Sequence, residues 1–237
     1  MFAPRRTPAA LAVVALAVSA CAGTDADPST RTAASTSPGP DDLAPGWDEP
    51  QDGPAPTPDA DLDAAQLAEI LRLSASVPEA PDSCTPDDVA LALTFTDAAL
   101  GHRFGMLAVE NVSEEPCAVE GYPGLGARGA WGATFLLDVE HRDPLEPARP
   151  SEAVTLAAGG QAHANVEWTG ELAGAASEPV SLLVVQLAAG QDAVGHPISL
   201  DGPSGEPDTG IDIGMLTTVR VGPFYAAPDR PDPTAGG

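Results

Sequence analysis

From Cys84 to about residue 225, apolar side chains recur at every second position, and this period commits the chain to β-structure. Val89, Leu91, Leu93 and Phe95 alternate with small or polar residues. Ala162, Ala164, Val166 and Trp168 do the same and leave His163, Asn165 and Glu167 on the opposite face of their strand. Further runs of strand character cover 103–111, 117–121, 133–140, 152–157, 180–187, 196–200 and 216–222, divided by Gly, Pro and Asp. Short strands with no helical pattern between them predict an all-β domain, an antiparallel sandwich of two sheets over one core. A segment of this length is enough to close such a core.

What precedes the domain is of a different kind. A basic start over Met1–Arg6, an apolar stretch over Leu11–Val18 and the sequence Val18-Ser19-Ala20-Cys21 have the order of a bacterial lipoprotein leader, with Cys21 the acylated residue. A helical span needs about 20 apolar residues, so the leader, residues 1–20, reads as a removable signal rather than a permanent crossing. Residues 21–61 are dominated by Pro, Ala, Asp, Ser, Thr and Gly with the single aromatic Trp47, a composition that cannot bury a core and predicts a disordered tether. Forty such residues reach about 35 Å as a coil, or roughly 120 Å drawn out as polyproline II.

Residues 62–80 predict one short amphipathic helix and a linker. Leu62, Leu67, Ile70, Leu71 and Ser74 fall at helical spacing, with Asp61 as N-cap and Pro78 as a stop. The tail 226–237, rich in Pro and Asp, is again disordered by composition.

The net charge is -25, and loss of Arg5 and Arg6 with the leader makes it more negative still. The chain contains no lysine, and after the leader every base is an isolated arginine, which excludes a phosphate-binding, nucleic-acid surface. It also opposes adhesion to anionic headgroups, so the expected membrane contact is the lipid at Cys21. The acidity either keeps an exported protein soluble or attracts a basic partner or cation. With Cys21 acylated, Cys84 and Cys117 form an even pair in an oxidising compartment. A bridge between them would close a loop of about 34 residues and contribute roughly 3–4 kcal/mol. The alternative is two buried free thiols.

Several patterns resemble chemistry without completing it. Gly124-Leu125-Gly126-Ala127-Arg128-Gly129 spells G-x-G-x-x-G, but no helix follows to receive a pyrophosphate, so a glycine-rich loop with positive φ angles is expected. Asp59, Asp61 and Asp63 start like a calcium loop, yet Ala64 and Ile70 stand where Gly and Glu are needed. Ser204 lacks the elbow of a hydrolase nucleophile. His102, His141, His163 and His196 show no ligand spacing. His102 with Met106 could suit copper(I), against which stands the reading of a surface histidine and a core methionine. Asn111-Val112-Ser113 fits a glycosylation acceptor, a chemistry that does not suit a bacterial signal.

The stretch Asn111-Val112-Ser113-Glu114-Glu115-Pro116-Cys117-Ala118-Val119-Glu120-Gly121-Tyr122-Pro123-Gly124 resembles the N-x-S-x-x-P-C-x-L-x-G-Y-P-G hallmark of domain-of-unknown-function family 4232, common in secreted proteins and lipoproteins of actinobacteria. The likeness runs from Cys84-Thr85-Pro86-Asp87-Asp88-Val89, through Val154-Thr155-Leu156-Ala157-Ala158-Gly159-Gly160-Gln161-Ala162, to the closing strand near Val221. Ala158 stands where the family has a turn proline, and the connection from Gly170 to Pro179 lacks a further cysteine. The resemblance implies an immunoglobulin-like β-sandwich, an exported location and no assigned activity. Its marker residues are Asn111, Pro116, Cys117, Gly121, Tyr122, Pro123 and Gly124.

The functional expectation is a lipid-anchored, extracytoplasmic binding or interaction module without catalysis, metal or cofactor, monomeric in its domain, whose partner is an envelope protein or glycan. A structural envelope lipoprotein and a metal carrier or enzyme are the competing classes.

Overall fold

In the computed structural model, residues 55–170, 178–198 and 211–227 are described. Cys21 and the leader, the tether up to residue 54 with Trp47, Ser204, and most of the tail lie outside the described residues.

The helix is shorter than its periodicity predicts. α1 spans Ala64–Ile70 and is capped by Asp63, not Asp61: the Asp63 carboxylate accepts the Gln66 amide at 2.9 Å, while the Gln66 side chain accepts the Asp63 amide at 3.0 Å. Asp61 instead ends a 3-10 turn over Asp59–Asp61. Leu71 leaves the helical conformation and opens β1 (Leu71–Leu73), because the backbone of these three residues gains sheet partners that a further helical turn would not supply.

The rest is β-structure: β2 (Val89–Ala99), β3 (His102–Asn111), β4 (Cys117–Val119), β5 (Gly124–Gly129), β6 (Asp138–His141), β7 (Val154–Leu156), β8 (Gln161–Thr169), β9 (Val180–Gln186), β10 (Val194–Pro197), β11 (Thr218–Val221) and β12 (Tyr225–Ala226). A four-stranded sheet has the order β1-β5-β9-β10, and a six-stranded sheet the order β2-β3-β8-β11-β6 with β12 also paired to β8. β4 and β7 form a separate pair. All these pairings are antiparallel except β6 with β11. β2 and β3 are joined by the two-residue turn Leu100-Gly101, both at positive φ (52° and 86°), the geometry that matches strand twist.

One core joins the two larger sheets. Leu107 and Val109 of β3, Ala164, Val166 and Trp168 of β8, and Val219 and Val221 of β11 meet Leu125 and Ala127 of β5 and Leu183 and Val185 of β9, all at most 3 % exposed. β9 reads Val-Ser-Leu-Leu-Val-Val-Gln because it is covered twice: Leu182 and Val184 point away from this core and form a second cluster with Ile70, Leu67 and Leu71 of the helical segment.

Two expectations need correction. The G-x-G-x-x-G stretch is no loop but β5, buried at all six positions between β1 and β9. None of its glycines has a positive φ; a Cβ on Gly126 would collide with the Ile70 carbonyl, so glycine is required where α1 runs into β1 across the strand. Residues 133–137, expected as strand, instead carry the chain between sheets. Phe135 donates its amide to Ala127 O of β5 (2.9 Å) and Leu136 to Met215 O ahead of β11 (2.8 Å), leaving only Asp138–His141 to pair as β6.

Candidate functional site

Of the hallmark residues, Asn111, Pro116 and Cys117 lie where the end of β3 meets β4 and β7, and the chemistry there is structural. Asn111, fully buried, donates from Nδ2 to Glu115 O (2.8 Å) and Leu156 O (2.9 Å), while its Oδ1 accepts the Ser113 amide (2.9 Å) and hydroxyl (2.8 Å). The side chain has no spare capacity and is closed to modification. Cys84 and Cys117 are joined by a disulfide with Cα atoms 4.8 Å apart, which ties the entry of the β-domain to β4. The turn before β8 closes without the family proline, through Gly160 N to Ala157 O (2.7 Å) and Gly159 N to Asn111 O (2.8 Å).

Gly121 takes φ +76°, and its carbonyl accepts the Phe224 amide at 2.8 Å. The neighbouring Tyr122 ring stacks on His141 with centroids 5.1 Å apart, and His141 Nε2 lies 3.2 Å from Pro123 O. Burial lowers the His141 pKa and its contact with the Pro123 carbonyl works against that shift.

The polar face of β8 is real but covered. His163, Asn165 and Glu167 are all below 10 % exposed. Glu167 joins a polar chain across four strands: His102 Nδ1 at 2.6 Å, Arg220 Nη1 at 3.0 Å, and beyond Arg220 the Glu140 carboxylate at 2.9 Å from Nε. Asn165 donates to both oxygens of Asp143 (3.1 and 3.2 Å) and accepts from the Tyr225 hydroxyl at 3.0 Å. Asp143 is 1 % exposed. Burial raises its pKa, but hydrogen bonds from the Glu146 amide, Asn165, the Leu145 amide and Arg149 outweigh that and hold the carboxyl below its ordinary value. Arg149 completes the network, with Nε 2.8 Å from Asp143, Nη2 2.7 Å from Glu146 and its Cζ 4.0 Å above the Tyr225 ring. His163 meets Tyr225 edge-on at 5.8 Å, and its pKa is lowered by burial.

Beside this network a cleft of about 390 Å³ opens between β7 and β12. Val154 and Phe224 supply apolar wall, Tyr225 and Arg149 an aromatic and guanidinium wall, and Glu146 and Glu152 a carboxylate rim. Because Asp143 locks Arg149 and Asn165 locks Tyr225, one side of the cleft is pre-organised before any ligand arrives. Composition and spacing did not single out Asp143, Arg149 or Tyr225. The only trace in the sequence is Asp143-Pro144-Leu145-Glu146, whose aspartate folds an Asx turn by accepting the Leu145 and Glu146 amides at 2.9 and 2.8 Å.

Other sequence candidates are dispersed. His102 and Met106 lie four residues apart on β3, about 13 Å along the strand, and so do not converge on one ion. Met106 is half-buried on the outer face beside Asn165, not in the core. Asp59 pairs with the buried Arg128, whose Nη2 also donates to Thr57 O at 2.8 Å, and Asp63 caps α1, so two of the three calcium-like aspartates are engaged elsewhere. Thr57 and Asp59, assigned to the tether by composition, are therefore held by the β-domain, because Arg128 on a buried strand needs their oxygens. Among the described residues no group of three or more His, Cys, Asp and Glu side chains is placed to hold a metal, and no helix is long and apolar enough to cross a membrane.

The profile of the family described as Domain of unknown function (DUF4232) matches residues 84–224. No curated protein and no solved structure matches the chain.

Proposed function

The chain belongs to the DUF4232 family, and on that footing we propose that it is a lipid-anchored, extracytoplasmic interaction module of a bacterial cell envelope, binding its partner without catalysis. The observation that supports this reading is the cleft between β7 and β12, whose one wall is rigid through Asp143, Asn165, Arg149 and Tyr225 while its rim stays open. Asp143, Asn165, Arg149 and Tyr225 hold one another in place, which suits a shaped binding surface better than proton or acyl transfer, where a nucleophile or base must be free to react. An immunoglobulin-like arrangement of the two sheets, carried at the end of a lipidated tether from Cys21, would present that surface away from the bilayer.

Two measurements test the role. Metabolic labelling with an alkyne fatty acid should mark the wild type and not Cys21→Ala, in which the protein should leave the membrane fraction. A photo-reactive residue at Thr155, on the cleft wall, should capture a discrete partner in intact cells, while the same residue at Glu69 on the exposed side of α1 should not. Equal labelling of both Cys21 forms, together with identical capture patterns from the two positions, would overturn the proposal.

A further inference from the structure

The cleft has a second property that specifies what fits it. β12 pairs with β8 on one side only among the described residues. The Ala227 amide donates to Gln161 O at 3.2 Å and Tyr225 faces His163, so by strand alternation Phe224 and Ala226 present their peptide groups to the opposite side. The Phe224 amide is taken by Gly121 O. The N–H and C=O of Ala226, which lines the cleft, thus point away from β8 and have no backbone partner among the described residues, an open strand edge.

Arg149 adds donors to that edge. Its Nε and Nη2 are engaged by Asp143 and Glu146, and Nη1 has no acceptor among the described residues. The rim above carries Glu146, half neutralised by Arg149, and Glu152, which is exposed and forms no ion pair among the described residues. At this edge three carboxylates, Asp143, Glu146 and Glu152, stand against the single cation Arg149, so the local balance of charge is negative.

We propose that the cleft binds an extended peptide segment bearing basic side chains, which adds to β12 through the Ala226 peptide group and places an arginine or lysine against Glu152. This rests on the interaction-module reading. Main-chain hydrogen bonds to the strand edge and Arg149 supply register, and the carboxylate rim supplies selectivity.

The test uses the mature chain, residues 21–237 with Cys21→Ala, and three fluorescein-labelled nonapeptides read by anisotropy: alternating Arg-Thr, alternating Glu-Thr, and alternating Arg-Pro, which matches the first in sign of charge but lacks half its amide donors. The Arg-Thr peptide should bind saturably, about tenfold or more tighter than Arg-Pro, and Glu-Thr should not bind. Glu152→Lys should weaken Arg-Thr binding by about tenfold, and Glu69→Lys, an equal charge change on α1, by less than about twofold. Equal binding of Arg-Thr and Arg-Pro removes the strand-edge contact, and equal loss in the two charge reversals reduces the effect to bulk attraction. Either result overturns the proposal, as does no binding of Arg-Thr. If the photo-reactive residue at Thr155 still captures a partner in cells that the Arg-Thr peptide fails to displace, this inference falls while the interaction module stands.

Discussion

Replacing Asn111 with aspartate exchanges one amide nitrogen for an oxygen of nearly the same size, and so isolates the hydrogen bonds of the hallmark residue from its packing. Nδ2 holds the carbonyls of Leu156 and Glu115 at 2.9 and 2.8 Å. Leu156 is buried, so its carbonyl left without a donor costs about 2–3 kcal/mol, whereas Glu115 is exposed and water limits that loss to about 1 kcal/mol. Asn111→Ala should therefore destabilise the domain by about 3–4 kcal/mol at any pH, and Ser113→Ala, which removes one partner of Oδ1, by about 1 kcal/mol.

The aspartate behaves differently because an ionised carboxylate facing two carbonyl oxygens is repelled, so its folded pKa must rise above the unfolded value of about 3.9. Between those two values the native state binds one proton more than the unfolded state, and stability falls as pH rises through the window. Asn111→Asp should match the alanine variant or exceed its loss at pH 7 and recover about 1–2 kcal/mol by pH 4, where the protonated acid restores one donor. Equilibrium urea unfolding read by the fully buried Trp168, with the disulfide intact, measures the difference from wild type at each pH. A loss below about 1 kcal/mol for Asn111→Ala, or a pH-independent difference for Asn111→Asp, would refute the assignment of these bonds as the reason asparagine occupies the site.

The wild-type advantage over Asp143→Asn should shrink as the medium is acidified through and below the ordinary carboxyl range, since a carboxyl held below its usual pKa gives stability that is lost as pH falls; titration of urea midpoints from pH 6 to pH 3 reads this. Gly126→Ala should destabilise by about 2–4 kcal/mol and free α1 from the sheet, seen as early proteolysis at residues 64–73, because the new methyl meets the Ile70 carbonyl. Leu100→Asn should stabilise by about 0.5–1 kcal/mol, as asparagine accepts the left-handed turn geometry that leucine at φ 52° holds at a cost; thermal unfolding checks the sign. Reduction of the Cys84–Cys117 bond should lower unfolding free energy by about 3–4 kcal/mol in the chain-entropy account, measured by denaturation with and without reductant.

The all-β class was legible because period-two alternation is a local property: Ala162, Ala164, Val166 and Trp168 need only their own spacing to announce one buried face, and that face is the one turned to the core. The disulfide was legible as the even pair that remains when Cys21 is set aside, and the family from the Asn111–Gly124 stretch, which lies within the residues that the profile matches.

What the sequence could not carry were the relations between segments distant along the chain. The glycines of β5 resembled a loop because the need for them lies in distant groups, as for Gly126 in the Ile70 carbonyl about 56 residues earlier, and spacing rules see only neighbours. The helix ended at Ile70 because Leu71–Leu73 found β5, a partner invisible to helical periodicity. The cleft was hidden for the same reason: Asp143 and Arg149 come from the loop between β6 and β7, Asn165 from β8 and Tyr225 from β12, and each is an ordinary polar residue until the sheet brings them together. The local code thus determined which residues face inward, while tertiary packing alone decided which inward faces meet, because hydrogen bonds and close contacts between distant segments depend on geometry that no single segment contains.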